Sequence, residues 1–142
     1  ALDGLNEVIA ALLAGEMATA VVAELDPATG SVAVASAGHL PVLHVSAGDA
    51  AFVTEGRGPA LGLLDVSGYR EAHLQLHGDD RLLLFSDGLV ERRGEPVSTG
   101  LELLRDAVRS APAGPHQLLD AVLRGLDPPG SDDVTLVGLA RT

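Results

Sequence analysis

The chain has 142 residues, room for one domain with one sizeable core, which must be built from Leu, Val and Ala because aromatic residues are only two Phe and one Tyr. Twenty acidic residues against nine Arg and no Lys give a formal net charge of −11; this argues against nucleic acid as a ligand, which needs a basic patch, and fits a cation site or a basic partner. The absence of cysteine excludes a disulfide scaffold, thiolate catalysis and cysteine zinc sites.

Leu2, Leu5, Val8, Ile9, Leu12 and Leu13 recur at helical spacing and predict an amphipathic helix ending near Gly15, with Asp3, Asn6 and Glu7 on the other face. Those polar residues break any signal-peptide pattern, and no run of about 18 apolar residues occurs, so a cytoplasmic location without membrane association is expected. The chain starts without Met, as a processed or excised piece would. Residues 18–25 and 31–37, rich in β-branched and small apolar residues, predict a β-hairpin across the turn Asp26-Pro27-Ala28-Thr29-Gly30. Ala33 and Ala35 alternate with Val32 and Val34, so the small residues are expected to face a closely packed sheet or helix.

Ala37-Gly38-His39-Leu40-Pro41 interrupts the strands, residues 41–45 continue as another, and the Ser46-Ala47-Gly48-Asp49 turn leads to a short strand at 51–54. Residues 55–62 form a Gly- and Pro-rich loop suited to motion or to close approach. Residues 69–76, YREAHLQL, alternate as a half-exposed strand, expected to pair with residues 81–85 across the Gly78-Asp79-Asp80 turn. After a polar loop at 92–99, Leu101, Leu104, Ala107 and Val108 make a helix bracketed at its exit by Pro112 and Pro115. Residues 116–126 make a second helix, stopped by Pro128-Pro129-Gly130, and residues 133–140, DVTLVGLA, read as a buried strand. The class is α+β with a mainly antiparallel sheet.

Function concentrates at residues 81–91, RLLLFSDGLVE. Leu82, Leu83, Leu84 and Phe85 form an apolar run too short for a helix, and Asp87 follows at its end, with Gly88 freeing the backbone next to the acid. Ser86-Asp87-Gly88 reads either as a plain tight turn or as a carboxylate on a rigid support. Asp132 and Asp133 enter the last strand, so if the two strands are antiparallel neighbours the carboxylates meet at one end of the sheet. Clustered carboxylates repel unless a cation lies between them, and Mg²⁺ or Mn²⁺ prefers such ligands; the alternative is ordinary turn and capping acids.

Residues 81–91, residues 131–137 as SDDVTLV and residues 34–41 as VASAGHLP resemble, in order and spacing, the later motifs of bacterial metal-dependent protein phosphatases of the type 2C-like, sporulation-stage-II-E and stress-regulator group. The Leu25 to Gly30 turn and Pro59-Ala60-Leu61-Gly62 are also similar to that family, and the resemblance covers essentially the whole chain. It implies two antiparallel sheets packed face to face with helices on both outer sides. It also implies hydrolysis of phosphoserine or phosphothreonine by water activated on two Mn²⁺ or Mg²⁺ ions, with a phosphoprotein such as an anti-sigma-factor antagonist as partner.

By position, Asp87 and Asp132 resemble metal ligands and Asp133 a supporting residue. The family's early acidic segment and its Gly-Asp-Val-x-Gly-His-Gly-like motif are not in this sequence, so the chain corresponds to a C-terminal portion, expected to lack phosphatase activity by itself and to self-associate through an unfinished sheet. A module that docks a partner without catalysis is the alternative. His39 is a candidate to bind substrate or metal, against a fixed hydrogen bond at a Gly-His turn. Gly62 and its loop border a substrate groove or are plain surface, and Arg92 with Arg93 engages phosphate or is merely solvated.

Overall fold

A computed structural model of the chain describes residues 1–13, 15–46, 49–63, 67–111, 115–126 and 133–140. Its elements are α1 (Leu2–Leu12), β1 (Ala20–Leu25), β2 (Ser31–Ala37), β3 (Leu43–Ser46), β4 (Asp49–Phe52), β5 (Arg57–Gly58), β6 (Ala72–Gln75) and β7 (Arg81–Phe85). A 3₁₀ turn at Asp87–Leu89 precedes α2 (Val97–Arg109), α3 (Pro115–Leu126) and β8 (Leu136–Ala140). The class is α+β, with two mainly antiparallel sheets, and the chain falls into two compact units, Ala1–Pro41 with Val53–Gln75 and Val42–Phe52 with Leu76–Thr142.

The first unit grows from the predicted hairpin. Asp26 closes its turn: Oδ1 accepts Ala28 N at 2.9 Å, Oδ2 accepts the Thr29 hydroxyl at 2.7 Å, and Gly30 takes the positive φ of 80° that the reversal needs. β1 and β2 then pair antiparallel from Ala20 opposite Ala37 to Leu25 opposite Val32. The other edge of β2 is shared: β6 pairs antiparallel with its first half and β5 parallel with its last two residues. The loop at 55–62 thus contains a short strand, and its glycines serve close approach. A Cβ on Gly56 would stand 2.6 Å from Ala72 N, and one on Gly58 2.7 Å from the Tyr69 ring.

α1 corrects the expected amphipathic pattern. Asn6, assigned to the polar face, is only 3 % exposed, whereas Leu5, Val8, Leu12 and Leu13 are 43 %, 52 %, 76 % and 54 % exposed. The helix rests on irregular chain at residues 61–63 and 67–69, whose backbone needs polar partners more than apolar cover. Asn6 donates to Leu63 O at 3.1 Å and accepts Gly62 N at 2.7 Å, while Asp3 accepts Gly68 N at 2.7 Å. Beside these bonds, Leu2, Ala37 and Leu61 form a buried cluster with Ile9, Ala20, Ala35 and Tyr69 packed around it, so Ala35 faces a helix, one of the two predicted neighbours.

The second unit is a four-stranded antiparallel sheet in the order β4-β3-β7-β8. The expected pairing of residues 69–76 with 81–85 is corrected. β7 has β3 on one edge and β8 on the other, leaving no edge for β6, which pairs with β2. Residues 77–80 are a tight turn in which Asp80 N donates to His77 O at 2.8 Å and His77 N to Asp80 Oδ2 at 3.0 Å, but they join strands of different sheets.

Three boundaries also move. β4 starts at Asp49, earlier than expected, held by the Arg109 guanidinium on Asp49 Oδ1 at 2.9 Å; that bond, with Ala50 N, holds the Asp49 carboxyl below its usual pKa. α2 starts at Val97 inside the expected polar loop, because Pro96 takes the N-cap position with φ −64° and ψ 144°. β8 begins at Leu136 and is, among the described residues, an edge strand and not a buried one; Val137 is 46 % exposed. The core of this unit includes Leu43, Leu82, Leu83, Phe85, Leu89, Val90, Leu104, Val122 and Leu126, all 3 % exposed or less. Pro112, Pro128, Pro129, Gly130, Ala47 and Gly48 lie outside the described residues. Among the described residues no helix is long and apolar enough to cross a membrane.

Candidate metal centre

β7 gives its C-terminal end a rigid support: Leu82 and Leu83 are fully buried between two neighbouring strands. The ladder with β8 runs one step past Phe85 opposite Leu136, since Ser86 N donates to Thr135 O at 3.0 Å. The Ser86 hydroxyl then makes two further bonds, donating to Asp133 O at 3.1 Å and accepting Thr135 N at 2.8 Å. Asp87 follows, and its carbonyl accepts Val90 N at 2.9 Å and Glu91 N at 2.7 Å to close the 3₁₀ turn.

The Asp87 side chain is exposed, with Oδ1 accepting Gly88 N at 3.0 Å. Behind it Leu89 and Val90 are 1 % and 0 % exposed. Gly100 of α2 presses on this turn so closely that a Cβ there would lie 1.8 Å from Val90 O. The acid therefore stands in solvent on a turn that packing holds still, which suits a ligand better than a flexible loop would.

The strands bearing the two predicted acid motifs are antiparallel neighbours, and the Asp133 backbone lies against Ser86, one residue before Asp87. The Asp133 side chain is exposed, and Asp132 lies outside the described residues. A carboxylate is the hard oxygen donor that Mg²⁺ and Mn²⁺ prefer. Among the described residues no three His, Asp or Glu side chains converge on a point that could hold a metal.

The other predicted residues have structural partners. His39 Nδ1 lies 3.1 Å from Leu40 O, which as a carbonyl can only accept, and the His39 carbonyl accepts the Ser36 hydroxyl at 3.2 Å. Gly62 has φ +90°, and a Cβ there would stand 2.1 Å from Glu16 O, so its missing side chain is explained by packing. Arg92 donates from one guanidinium nitrogen to Leu126 O, the last carbonyl of α3, and its Nε is buried without a hydrogen-bond partner among the described residues. His39 and Gly62 belong to the first unit, Asp87, Gly88, Arg92 and Asp133 to the second. Sequence reasoning missed Ser86 and Gly100: a serine in a turn and a glycine near a helix start carry no local sign of a distant partner.

The fold is that of a type 2C-like phosphatase domain. The chain belongs to the SpoIIE family; residues 1–142 match the family described as Stage II sporulation protein E (SpoIIE). It is similar to the structure of the RsbU and RsbW domains of a Mycobacterium tuberculosis protein, with 29 % identity and a TM-score of 0.80 over 99 % of this chain and 40 % of that one. It is also similar to the Mn-presoaked phosphatase domain of the Bacillus subtilis cell fate determinant SpoIIE, with 16 % identity and a TM-score of 0.63 over 94 % of this chain and 63 % of that one. A third likeness is to the PPM Ser-Thr phosphatase MsPP of Mycobacterium smegmatis, with 21 % identity and a TM-score of 0.62 over 99 % of this chain and 71 % of that one. The chain thus spans 40 % and 63 % of the first two.

Proposed function

We propose that this chain is the C-terminal part of a single metal-dependent serine/threonine phosphatase domain, acting on a small regulatory phosphoprotein of the anti-sigma-factor-antagonist kind. The observation that carries this reading is the β7–β8 pairing, which brings the Asp133 backbone against Ser86, one residue before the exposed Asp87. Membership of the SpoIIE family supports the reaction class, and the RsbU and RsbW domains named in one relative support a regulatory partner. Asp87 and Asp132 are the proposed ligands for Mn²⁺ or Mg²⁺, and the Mn-presoaked relative supports that choice of metal.

When bound, the metal pair would supply an activated water and offset the charge of the phosphoryl group. The chain's own contribution is to hold its carboxylates in place: β7 supports Asp87, Gly88 N keeps Oδ1 oriented, and the buried Leu89 and Val90 stop the turn from rocking. No side-chain nucleophile is needed, which agrees with a chain that has no cysteine. Residues 1–142 alone are proposed to be inactive, because Asp87 and Asp132 are too few ligands for two ions.

The experiment is hydrolysis of a phosphoserine peptide by the full-length protein with Mn²⁺. Activity is expected, with a loss of about 100-fold or more in Asp87→Asn, on the scale of damage to a metal's ligand shell. A variant as active as wild type would remove Asp87 from the site. Robust Mn²⁺-dependent hydrolysis of p-nitrophenyl phosphate by residues 1–142 would refute the inactivity of the isolated chain.

A further inference from the structure

The start of β7 borders a cavity that the metal centre does not use. Side chains alternate along a strand, so Arg81 and Leu83 share one face of β7, and directly opposite them on β8 stand Ala140 and Gly138. β8 thus offers that face only a methyl group and a hydrogen, where a strand usually offers larger side chains. α3 lies over the same face with Leu118 and Leu119, and the missing bulk leaves a cavity of about 100 Å³ between helix and sheet. The exposed His116, at the start of α3, also lines it.

Arg81 is out of keeping with this lining, which apart from His116 is apolar. Its Nε is buried without a hydrogen-bond partner among the described residues. Arg105 and Arg109 pair with Glu102 and Asp49, whereas Arg81 has no ion pair among the described residues. A buried donor of a charged group is costly to leave unmade, and a guanidinium that only ended a strand could turn out to water. The arrangement holds an unused, fork-shaped cation against an apolar hollow.

We propose that this cavity binds a small carboxylate with a short, branched apolar tail. The carboxylate accepts from Arg81 Nε and a terminal nitrogen together, the two-pronged geometry that a guanidinium offers, and His116 donates to it from its ring. The tail fills the hollow over Gly138, against Leu118 and Leu119. A volume of about 100 Å³ is roughly two-thirds of a cavity that takes benzene, which limits the tail to about three to five carbons. Inorganic phosphate would answer the charge and leave the apolar part empty. A neutral alcohol would fill that part and leave Arg81 unpaired. None of these residues belongs to the proposed metal centre, so the inference stands apart from the phosphatase reading.

The test is calorimetric titration of isovalerate into the full-length protein, with acetate, inorganic phosphate and 3-methylbutanol as comparisons. Isovalerate is expected to bind with a Kd of about 1 mM or tighter. Acetate and phosphate, which lack the tail, and the alcohol, which lacks the charge, should each bind at least about tenfold more weakly. Arg81→Met is expected to weaken isovalerate by at least about tenfold while its ligand-free melting temperature stays at or above that of wild type, since the unpartnered Nε is removed with the charge. An arginine with a purely structural role would instead lower that temperature. In Gly138→Ala the new Cβ would stand 3.3 Å from Leu119 Cδ2 and 3.6 Å from Leu83 Cδ2, the flexible ends of two leucines, so the fold accommodates it. The methyl group takes space that the tail needs, and isovalerate should weaken about fivefold or more. If Arg81→Met does not fold, Gly138→Ala carries the test. Isovalerate bound no more tightly than acetate or phosphate, or affinity within about twofold of wild type in folded Arg81→Met or Gly138→Ala, would overturn the proposal.

Discussion

Gly100→Ala reverses an ordinary rule. In an exposed helix interior, replacing Gly by Ala stabilises by roughly 1 kcal/mol, because alanine restricts the unfolded chain and shields the backbone. At Gly100 the new Cβ would stand 1.8 Å from Val90 O, 2.6 Å from Val90 C and 2.9 Å from Val90 Cα, all backbone atoms. Real Cβ atoms keep at least 3.0 Å, so α2 and the Val90 backbone must move apart. Val90 is 0 % exposed, and its N–H is bonded to Asp87 O at 2.9 Å, so neither partner yields freely. Overpacking of a rigid core costs about 1–3 kcal/mol and sometimes more. With backbone as the obstacle the upper end applies, and after the helix gain the net loss is about 2 kcal/mol.

Urea unfolding reads this directly. With a slope in the usual range for small domains, the midpoint should fall by about 1 M. Gly125→Ala in α3 is the control: its Cβ would meet only the Ala107 methyl, at 3.4 Å, so that variant should be unchanged or up to about 1 kcal/mol more stable. A Gly100→Ala midpoint at or above wild type would refute the argument that α2 braces the Asp87 turn through Val90.

Other outcomes follow from the same geometry. Asn6→Leu strands Gly62 N and Leu63 O, and should cost about 2–3 kcal/mol in a thermal or urea melt; a neutral result would show that the loop finds other partners. Asp49 has a folded pKa below its unfolded value, held there by the Arg109 hydrogen bond, so its contribution is present above the unfolded pKa of about 3.8 and is lost as pH falls through the folded value. Asp49→Asn should therefore lower stability slightly at pH 7 and by less as the pH falls below about 3.8, and an equal effect across that range would count against the pairing. Light scattering of residues 1–142 should show self-association through the exposed Leu5, Val8 and Leu12 of α1 and Leu13 just after it; a clean monomer at high concentration would oppose it.

Much of this was readable because local pattern and tertiary role agree. The run Leu82 to Phe85 says buried strand, and it has sheet neighbours on both sides, β3 and β8. The hairpin at Asp26 was equally plain, since its side chain closes the turn by itself. α1 was misread for a physical reason: apolar spacing predicts which face is oily, but the face that packs here was chosen by backbone donors and acceptors of a loop more than 50 positions away. The partner of residues 72–75 was misjudged because a tight turn at 77–80 looks the same whether the chain returns along its own sheet or passes to another. Asp87 could be singled out from its place at a strand end. The ties made by Ser86 and Arg92 could not, because they join residues 47 and 34 positions apart.

The central claim is that Asp87 and Asp132 hold a divalent metal. Calorimetric titration of Mn²⁺ into the full-length protein and into Asp87→Asn and Asp132→Asn tests it most directly. The account predicts Mn²⁺ binding in the wild type and a loss of about 100-fold or more in each variant. Affinity unchanged in both variants would contradict it.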